Sequence, residues 1–304
     1  TLPIQEETRA IRVPLPLAQI GKHWGLARLL LTVGPNILIQ ALMLMLLERS
    51  ILVVADNLQD ATACSCALLE LLEPYEWTHA FLPVLPDSMR AFVKSSIPFV
   101  AGIALDERHK AADIESDNRV ADAMTAGLNV LNLGNNSLFL SGKDGIAKTL
   151  MVDPYLRRTL ESIRNRLECF VDEDPYCAIN SFQTFAKKGL TIWETITLNS
   201  ASNAIEMNMG QLGMDLVAHA DAWKLYNNEA SRNQYVFDPS VFVERIRARA
   251  RFQEAMANTQ LFSGYVEGRR LGYEETRGLR HGNEAQFIAA WTYFRWKKKS
   301  KQNK

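Results

Sequence analysis

The feature that most constrains the fold is an uncharged stretch of nineteen residues, Leu29–Leu47, with the sequence LLLTVGPNILIQALMLMLL. Its length alone fits a membrane span. However, Gly34-Pro35-Asn36 stands in its middle, and proline favours the first turn of a helix. We therefore predict an approach segment over Leu29–Val33 and a helix over Pro35–Glu48. Because that helix is apolar on all sides, we expect it in the core of a large domain, with a membrane span as the alternative.

Strand-like and helix-like segments alternate after this helix. Ser50–Ala55 is a short, continuously apolar run with β-branched residues, which is typical of a parallel strand covered on both faces. Leu58–Leu72 and Pro86–Lys94 have helical patterns, whereas Ala80–Leu85 and Phe99–Leu105 have strand patterns. This order predicts an α/β fold, a layered sandwich around a mostly parallel central sheet.

The next part of the chain is more polar. Asp106–Gly127 carries few large apolar residues and indicates a long exposed loop. Asn129–Leu133 and Ser137–Leu140 flank Gly134-Asn135-Asn136, which predicts a hairpin turn. After Pro154 the apolar residues return at helical spacing.

From Leu190 onward we expect helices and no further strands, so that the sandwich is followed by a helical C-terminal portion. Asp238-Pro239 is a helix-start signal, and a helical hairpin should continue to Gly268. The last ten residues, Arg295–Lys304, include six basic side chains. We interpret them as a solvated end, with contact to a membrane surface as the alternative.

The charge balance argues against a nucleic-acid binder. The chain has 34 basic and 34 acidic residues, whereas phosphate binding normally needs a basic surplus. The 47% share of hydrophobic residues is sufficient for a substantial core. The cysteines form no CxxC pair, which favours a reduced compartment and gives little support to a metal site. They are Cys64, Cys66, Cys169 and Cys177.

No convincing catalytic constellation is present. Gly142–Thr149 is one residue from the phosphate loop GxxxxGK[ST], but Ala147 replaces the second glycine. Pro154 would also shorten the helix that should follow. A polar loop is the better interpretation, and a nucleotide-binding enzyme at this segment is the alternative. The five histidines show neither HxH nor HExxH spacing, so we expect no metal and no cofactor.

Three segments of the sequence point to one family. Ala67–Ile103 contains a helix ending in Pro-Tyr-Glu-Trp, a strand with a Leu-Pro step, a helix, and the strand Pro-Phe-Val-Ala-Gly. Upstream lie Val13–Ile20 (VPLPLAQI) and Leu44–Asn57 (LMLLERSILVVADN), and downstream lies Phe237–Arg269. These segments resemble the central and downstream modules of the DENN domain family. One departure is Leu131-Asn132-Leu133-Gly134, where that family often has an acidic pair.

The resemblance implies a domain layout. Residues 1–150 would form the central DENN module, and 151–236 a helical connecting region. Residues 237–269 would form the downstream helical hairpin, and 270–304 the basic tail. The family's upstream, longin-like lobe is absent from this sequence, so that lobe of the parent protein is an expected partner.

The function that the resemblance implies is guanine-nucleotide exchange on a Rab-family GTPase. Exchange forms no covalent bond, so no enzyme chemistry is expected. The alternative is a DENN-fold scaffold that lacks exchange activity. Either protein would be cytoplasmic, with peripheral contact to vesicle or organelle membranes as an addition.

The partner-contact residues are predicted from the fold. Ligands of open α/β sheets bind at the carboxyl ends of the strands. The outer face of the helix Pro86–Lys94 is a second candidate surface, and ordinary solvated side chains are the alternative for both. The predicted contact residues are Asn57, Asp106, Glu107, Asn132, Arg90 and Lys94.

Overall fold

The computed structural model describes residues 17–105, 120–121, 124–125, 127–141, 152–173, 177, 179, 189–217, 223–228, 231–238 and 250–277. The helices are α1 (Leu17–Thr32), α2 (Pro35–Leu46), α3 (Leu58–Glu70), α4 (Pro154–Glu173), α5 (Ile192–Val217), α6 (Ala250–Ala257) and α7 (Gln260–Arg277), with a 3₁₀ helix at Asp87–Lys94. The strands are β1 (Ile51–Ala55), β2 (Ala80–Leu82), β3 (Phe99–Ala104), β4 (Asn129–Asn132), β5 (Ser137–Phe139), β6 (Trp223–Asn228) and β7 (Ser231–Phe237).

The main sheet has five strands in the order β2-β3-β1-β4-β5. β1 pairs in parallel with both β3 and β4, and β2 pairs in parallel with β3. Only β5 is antiparallel, because a tight turn joins it to β4. This arrangement confirms the predicted mostly parallel sheet with helices following it.

The central strand β1 is buried on both faces, as its apolar run predicts. Ile51, Val53 and Ala55 join the core on the side of the α-helices, whereas Leu52 and Val54 join a second core. The second core includes Val93 of the 3₁₀ helix. Since neighbouring side chains of a strand point to opposite faces, this run needs an apolar layer on each side.

The uncharged stretch forms parts of two helices and lies in the core. In α2 every residue from Ala41 to Leu46 is buried, and Pro35 occupies the first turn as predicted. The expected approach segment Leu29–Val33 is wrong, because its first four residues complete α1. These four residues remain helical because α1 as a whole packs directly against α3. No helix in the described ranges is long and apolar enough to cross a membrane.

Close packing of α1 on α3 depends on one glycine. A Cβ atom at Gly25 would lie 2.6 Å from the carbonyl oxygen of Ala63 and 3.2 Å from the Cβ of Ala67. A side chain there would therefore push the two helices apart.

The edge strand β2 is short, as Pro83 predicts. It has three residues, and beyond its end the Leu85 amide still donates to the Gly102 carbonyl of β3 at 2.7 Å. The following 3₁₀ helix buries Val93, whereas Met89 is 41% exposed. The helical interior is kinked at Met89, which turns that side chain outward.

The predicted hairpin turn between β4 and β5 is confirmed. Asn136 has a φ of 50°, a left-handed conformation that asparagine tolerates better than most residues. Its Oδ1 atom accepts a hydrogen bond from the Gly34 amide at 2.8 Å. The turn therefore also satisfies an amide at the start of α2.

The expectation of no strands after Leu190 is wrong. β6 and β7 form an antiparallel hairpin with a register shift between Tyr226 and Asn228. Alternating residues such as Trp223, Leu225 and Tyr235 suit a strand, but the helical pattern on either side masked that signal. Several predictions lie outside the described residues: the loop after Leu105 in most of its length, Gly142–Thr149, the helix start at Pro239 and the tail Arg295–Lys304.

Candidate functional site

A cleft of about 410 Å³ opens at the carboxyl ends of β1 and β4. Ala55 and Asp56 line it from β1, and Leu133 and Gly134 line it from the turn after β4. Helices supply the remaining walls. They contribute Arg28, Leu31 and Thr32 from α1, Asp60 from α3, and Glu168, Val171 and Asp172 from α4.

The topology explains why the cleft is there. The connection from β1 leads through α3 to β2 and β3 on one side of it, whereas β4 and β5 lie on the other side. The two connections leave the sheet in opposite directions, so a crevice remains between the ends of β1 and β4. Such a switch point is the usual binding position of open α/β sheets.

One wall of the cleft is held by an ion pair between two helices. Arg28 Nε donates to Asp60 Oδ1 at 2.6 Å, and Arg28 Nη2 donates to Asp60 Oδ2 at 2.9 Å. Asn57 completes the group, since its side-chain amide also donates to Asp60 Oδ2 at 2.9 Å. Two parallel hydrogen bonds of this kind fix the guanidinium and the carboxylate in one plane.

The pair shifts both ionisation equilibria. The hydrogen bond with Asp60 raises the pKa of Arg28 above its usual value. For Asp60, burial opposes ionisation, but the hydrogen bonds from Arg28 and Asn57 outweigh it and leave the pKa lowered. Asp60 is therefore a carboxylate at neutral pH, although its side chain is only 17% exposed.

The opposite wall is also acidic. Glu168 and Asp172 lie one turn apart on α4, and Asp56 also lines the cleft. Arg164 Nε donates to Glu168 Oε1 at 2.9 Å, so a positive side chain of α4 itself partly offsets the negative charge of this wall. The polar face of α4 is available here because its apolar face is buried in the core, as the helical spacing predicts.

This lining differs from that of a typical small-molecule pocket, which is mostly apolar. Within the described ranges, no group of three His, Cys, Asp or Glu side chains could hold a metal ion. The lining of the cleft includes no cysteine, and burial raises the pKa of both Cys64 and Cys66. The arrangement suits recognition of polar and basic groups on another macromolecule.

The structure brings two of the sequence-predicted residues to this edge of the sheet. Asn57 is exposed beside the cleft, and its Oδ1 atom accepts from the Asp60 amide at 2.8 Å, which caps α3. Asn132 ends β4 but is only 3% exposed. Its Oδ1 atom accepts from the Gly134 amide at 2.9 Å, so its side chain holds the turn.

Among the other predicted residues the structure describes the side chain of Lys94 alone, and Lys94 is not part of the cleft lining. Lys94 is exposed at the end of the 3₁₀ helix, which leads from the carboxyl end of β2 back to the amino end of β3. Arg90 belongs to the same helix, but its side chain lies outside the described part of the structure. Asp106 and Glu107 follow β3 and also lie outside the described residues.

The sequence was compared with models of known protein families. Residues 4–124, which run from before α1 to beyond β3, match the model of the DENN (AEX-3) domain. Residues 4–124 are therefore identified as a DENN domain. The segment includes β1, α3 and the ion pair between Arg28 and Asp60, so the DENN domain supplies most of the cleft.

The similarity to individual DENN proteins extends beyond that segment. The chain is 23% identical to DENN domain-containing protein 2A of Mus musculus over 275 residues, which cover 90% of this chain and 25% of that protein. It is 24% identical to DENN domain-containing protein 2B of Homo sapiens over 246 residues, 80% of this chain and 19% of that protein. The chain thus spans about a fifth to a quarter of the relatives' length.

Sequence reasoning missed most of the cleft lining. Arg28 and Asp60 are 32 residues apart in the sequence, and neither belongs to a motif. Glu168 and Asp172 are surface carboxylates of an amphipathic helix, a pattern that also describes ordinary solvated positions. A usable signal was Asn57 followed by Asp60, because it places an acidic side chain in the first turn of a helix that starts at a strand end.

Proposed function

We propose that this chain is part of a guanine-nucleotide exchange factor that binds a Rab-family GTPase and promotes release of GDP. The observation that carries the proposal is the match of residues 4–124 to the DENN domain, since DENN domains generally act on Rab GTPases. The α/β sheet with an open carboxyl edge supplies a rigid surface for such a partner.

Exchange of this kind needs no covalent chemistry. The factor binds the nucleotide-free GTPase more tightly than the loaded one, so binding shifts the population toward release. Each 1.4 kcal/mol of preferential binding at the barrier corresponds to about tenfold in rate. A cleft of fixed polar side chains fits this role, and neither a metal nor a cofactor is required.

The proposed docking surface is the carboxyl edge of the sheet. We assign to it the cleft and the predicted residues Asn57, Asp106, Glu107 and Asn132. The carboxylates of the cleft would complement basic side chains of the GTPase and would speed the encounter between the two proteins. Arg90 and Lys94 are proposed as a separate contact on the 3₁₀ helix.

The cellular setting follows from the same proposal. The protein would act in the cytoplasm and at the surface of vesicles or organelles, where the basic tail Arg295–Lys304 would contact anionic lipid. A longin-like lobe of the parent protein would complete the GTPase-binding surface. Nucleic acid is not an expected partner, because the net charge is zero.

Release of fluorescently labelled GDP from a panel of purified Rab GTPases tests the proposal. The measurement uses this chain and the longest natural form of the protein that contains it. Faster release from at least one Rab supports exchange. Binding of a nucleotide-free Rab without faster release would instead support a DENN-fold scaffold, and no binding at all would overturn both.

Charge reversal then tests the docking surface. Asp172→Lys, at an exposed position in the cleft wall, should slow exchange about tenfold by placing a positive charge against basic side chains of the GTPase. Glu161→Lys makes the same change on α4 outside the cleft lining and should leave the rate unchanged. Lys94→Glu probes the second surface. A partner that uses only the 3₁₀ helix would respond to Lys94→Glu and ignore Asp172→Lys.

A further inference from the structure

Glu48 occupies a position that normally favours glycine. It follows the last turn of α2 and has a φ of 52°, the left-handed conformation that residues with side chains rarely adopt. The Glu48 amide donates to the Met45 carbonyl at 2.9 Å, and the Arg49 amide donates to the Leu44 carbonyl at 3.0 Å. A glutamate in this strained conformation at a helix end indicates a structural or functional role for its side chain.

The Glu48 carboxylate reaches the start of a helix that lies 213 residues later in the sequence. Its Oε1 atom accepts a hydrogen bond from the Leu261 amide at 2.7 Å. Leu261 is the second residue of α7, and the first amides of a helix have no acceptor within the helix. Thr259 Oγ1 satisfies a neighbouring one, the Phe262 amide, at 3.2 Å. The amino end of α7 is thus capped both by the adjacent Thr259 and by the distant Glu48.

His79 completes the contact from a third part of the chain. Its Nε2 atom lies 3.1 Å from the same Glu48 oxygen, and the two side chains are only 10% and 13% exposed. This nitrogen makes no well-aligned hydrogen bond to any described residue, so the two side chains are in close polar contact only. Trp77 packs edge-on against the imidazole at a ring separation of 5.3 Å, which restricts its position.

A neighbouring aromatic residue strengthens the same attachment. The ring of Tyr75 lies 4.8 Å from that of Tyr265, one turn further along α7. The Tyr75 hydroxyl also donates to the Met209 carbonyl of α5 at 3.1 Å. The segment from Tyr75 to His79 therefore joins α5, α7 and the entry to β2.

The contact lies at the edge of the sheet opposite the cleft. Glu48 precedes β1 and His79 precedes β2, so both belong to the amino ends of parallel strands. Apolar side chains of α6 and α7 enter the core beside them, among them Phe252 and Phe262. Apolar burial is not directional, whereas the charged hydrogen bond fixes where α7 begins.

We propose that Glu48 and His79 form a latch that holds the α6–α7 pair against the amino edge of the sheet. Opening of the latch frees this pair as a unit, while the five-stranded sheet and its cleft remain folded. The latch controls a conformational change of the protein, and it does not depend on the function proposed above.

Hydrogen exchange of the full chain, followed by mass spectrometry on peptides, tests the latch. Glu48→Asn suits the left-handed backbone, but its side chain is too short to reach Leu261. Amides in residues 260–268 should exchange at least about tenfold faster, because a hydrogen bond to a charged group is lost. Peptides from β1 and β3 should keep the protection of the parent chain.

Further variants separate the latch from general stability. Glu48→Gln keeps an acceptor for the Leu261 amide but removes the charge, so it should produce a smaller increase in the same peptides. His79→Gln should also act on α7 without affecting β3. Glu161→Gln, an exposed carboxylate on α4, is the matched control and should change nothing. Equal loss of protection across α7, β1 and β3, or unchanged exchange in α7, would overturn the proposal.

Discussion

Arg28 and Asp60 join α1 to α3 at the cleft through two side-chain hydrogen bonds of 2.6 and 2.9 Å. Each helix supplies one member of the ion pair, so the pair forms only where the two helices pack together. The pair orders one wall of the cleft and neutralises one of its carboxylates. It also makes the stability of the protein depend on pH in a defined direction.

The first prediction concerns that pH dependence. The pKa of Asp60 is lower in the folded protein than in the unfolded chain, so its stabilising effect is present above the unfolded value and is lost as the pH falls through the folded value. Asp60→Asn should lower the free energy of unfolding by about 1–3 kcal/mol at pH 7. It should also flatten the loss of stability between about pH 5 and pH 2. Urea unfolding at each pH gives both quantities, with Glu161→Gln as the control; an unchanged slope would contradict the assignment.

The second prediction concerns Gly102 of β3. A Cβ atom there would overlap the carbonyl oxygen of Pro83 and would lie 3.0 Å from Ser65 Oγ. Gly102→Ala should lower the free energy of unfolding by about 1–3 kcal/mol, because the chain after β2 would have to move away. Gly264→Ala is the matched control, since a Cβ at this helical position meets nothing within 4 Å. That variant should be neutral or stabilising by up to about 1 kcal/mol, and equal thermal shifts in the two variants would refute the close-approach argument.

The third prediction concerns the start of α5. Thr191 Oγ1 accepts from the Glu194 amide at 3.2 Å, and the Glu194 carboxylate accepts from the Thr191 amide, which forms a capping box. Glu194 is also buried and accepts from the thiol of Cys177 at 2.6 Å. Thr191→Ala should cost about 1 kcal/mol, and Glu194→Ala should cost more because it also leaves the thiol without its acceptor. Chemical denaturation measures both, and Ser200→Ala on an exposed face of α5 should stay within about 0.5 kcal/mol of the parent protein.

The fourth prediction concerns thiol reactivity. Burial raises the pKa of the Cys64 thiol, and burial together with Glu70 raises that of Cys66. Cys169 is exposed, and Cys177 is buried. Because the thiolate is the reactive form, a thiol reagent at pH 8 should modify Cys169 at least about tenfold faster than the other three. Peptide mapping would locate the label, and Cys169→Ser should abolish the fast phase; early labelling of Cys64 would show that α3 opens readily.

Local patterns predicted the main sheet and the helices α2 and α3, but they missed α1. The apolar run of β1 predicts a strand that is buried on both faces. The proline after β2 predicts a short strand at the edge of the sheet. The glycine-asparagine turn likewise specified the β4–β5 hairpin. The β6–β7 hairpin escaped prediction because its strands carry polar residues and stand between strong helical patterns.

The candidate site was less predictable. The topology rule placed Asn57 and Asn132 at the edge of the sheet where the cleft lies, but the structure gives both side chains hydrogen bonds within their own turns. The cleft wall instead uses carboxylates and an arginine from three helices. No local pattern distinguishes these residues from solvated surface residues.

The sequence by itself determined the layered α/β core and the DENN resemblance, because both depend on apolar runs and turn residues that act over a few neighbouring positions. Only the tertiary structure decided that Arg28 meets Asp60 and that Glu48 caps α7. Those contacts join residues 32 and 213 positions apart. Their formation depends on how whole helices pack, and a charged side chain follows the same local pattern whether it finds a distant partner or only water.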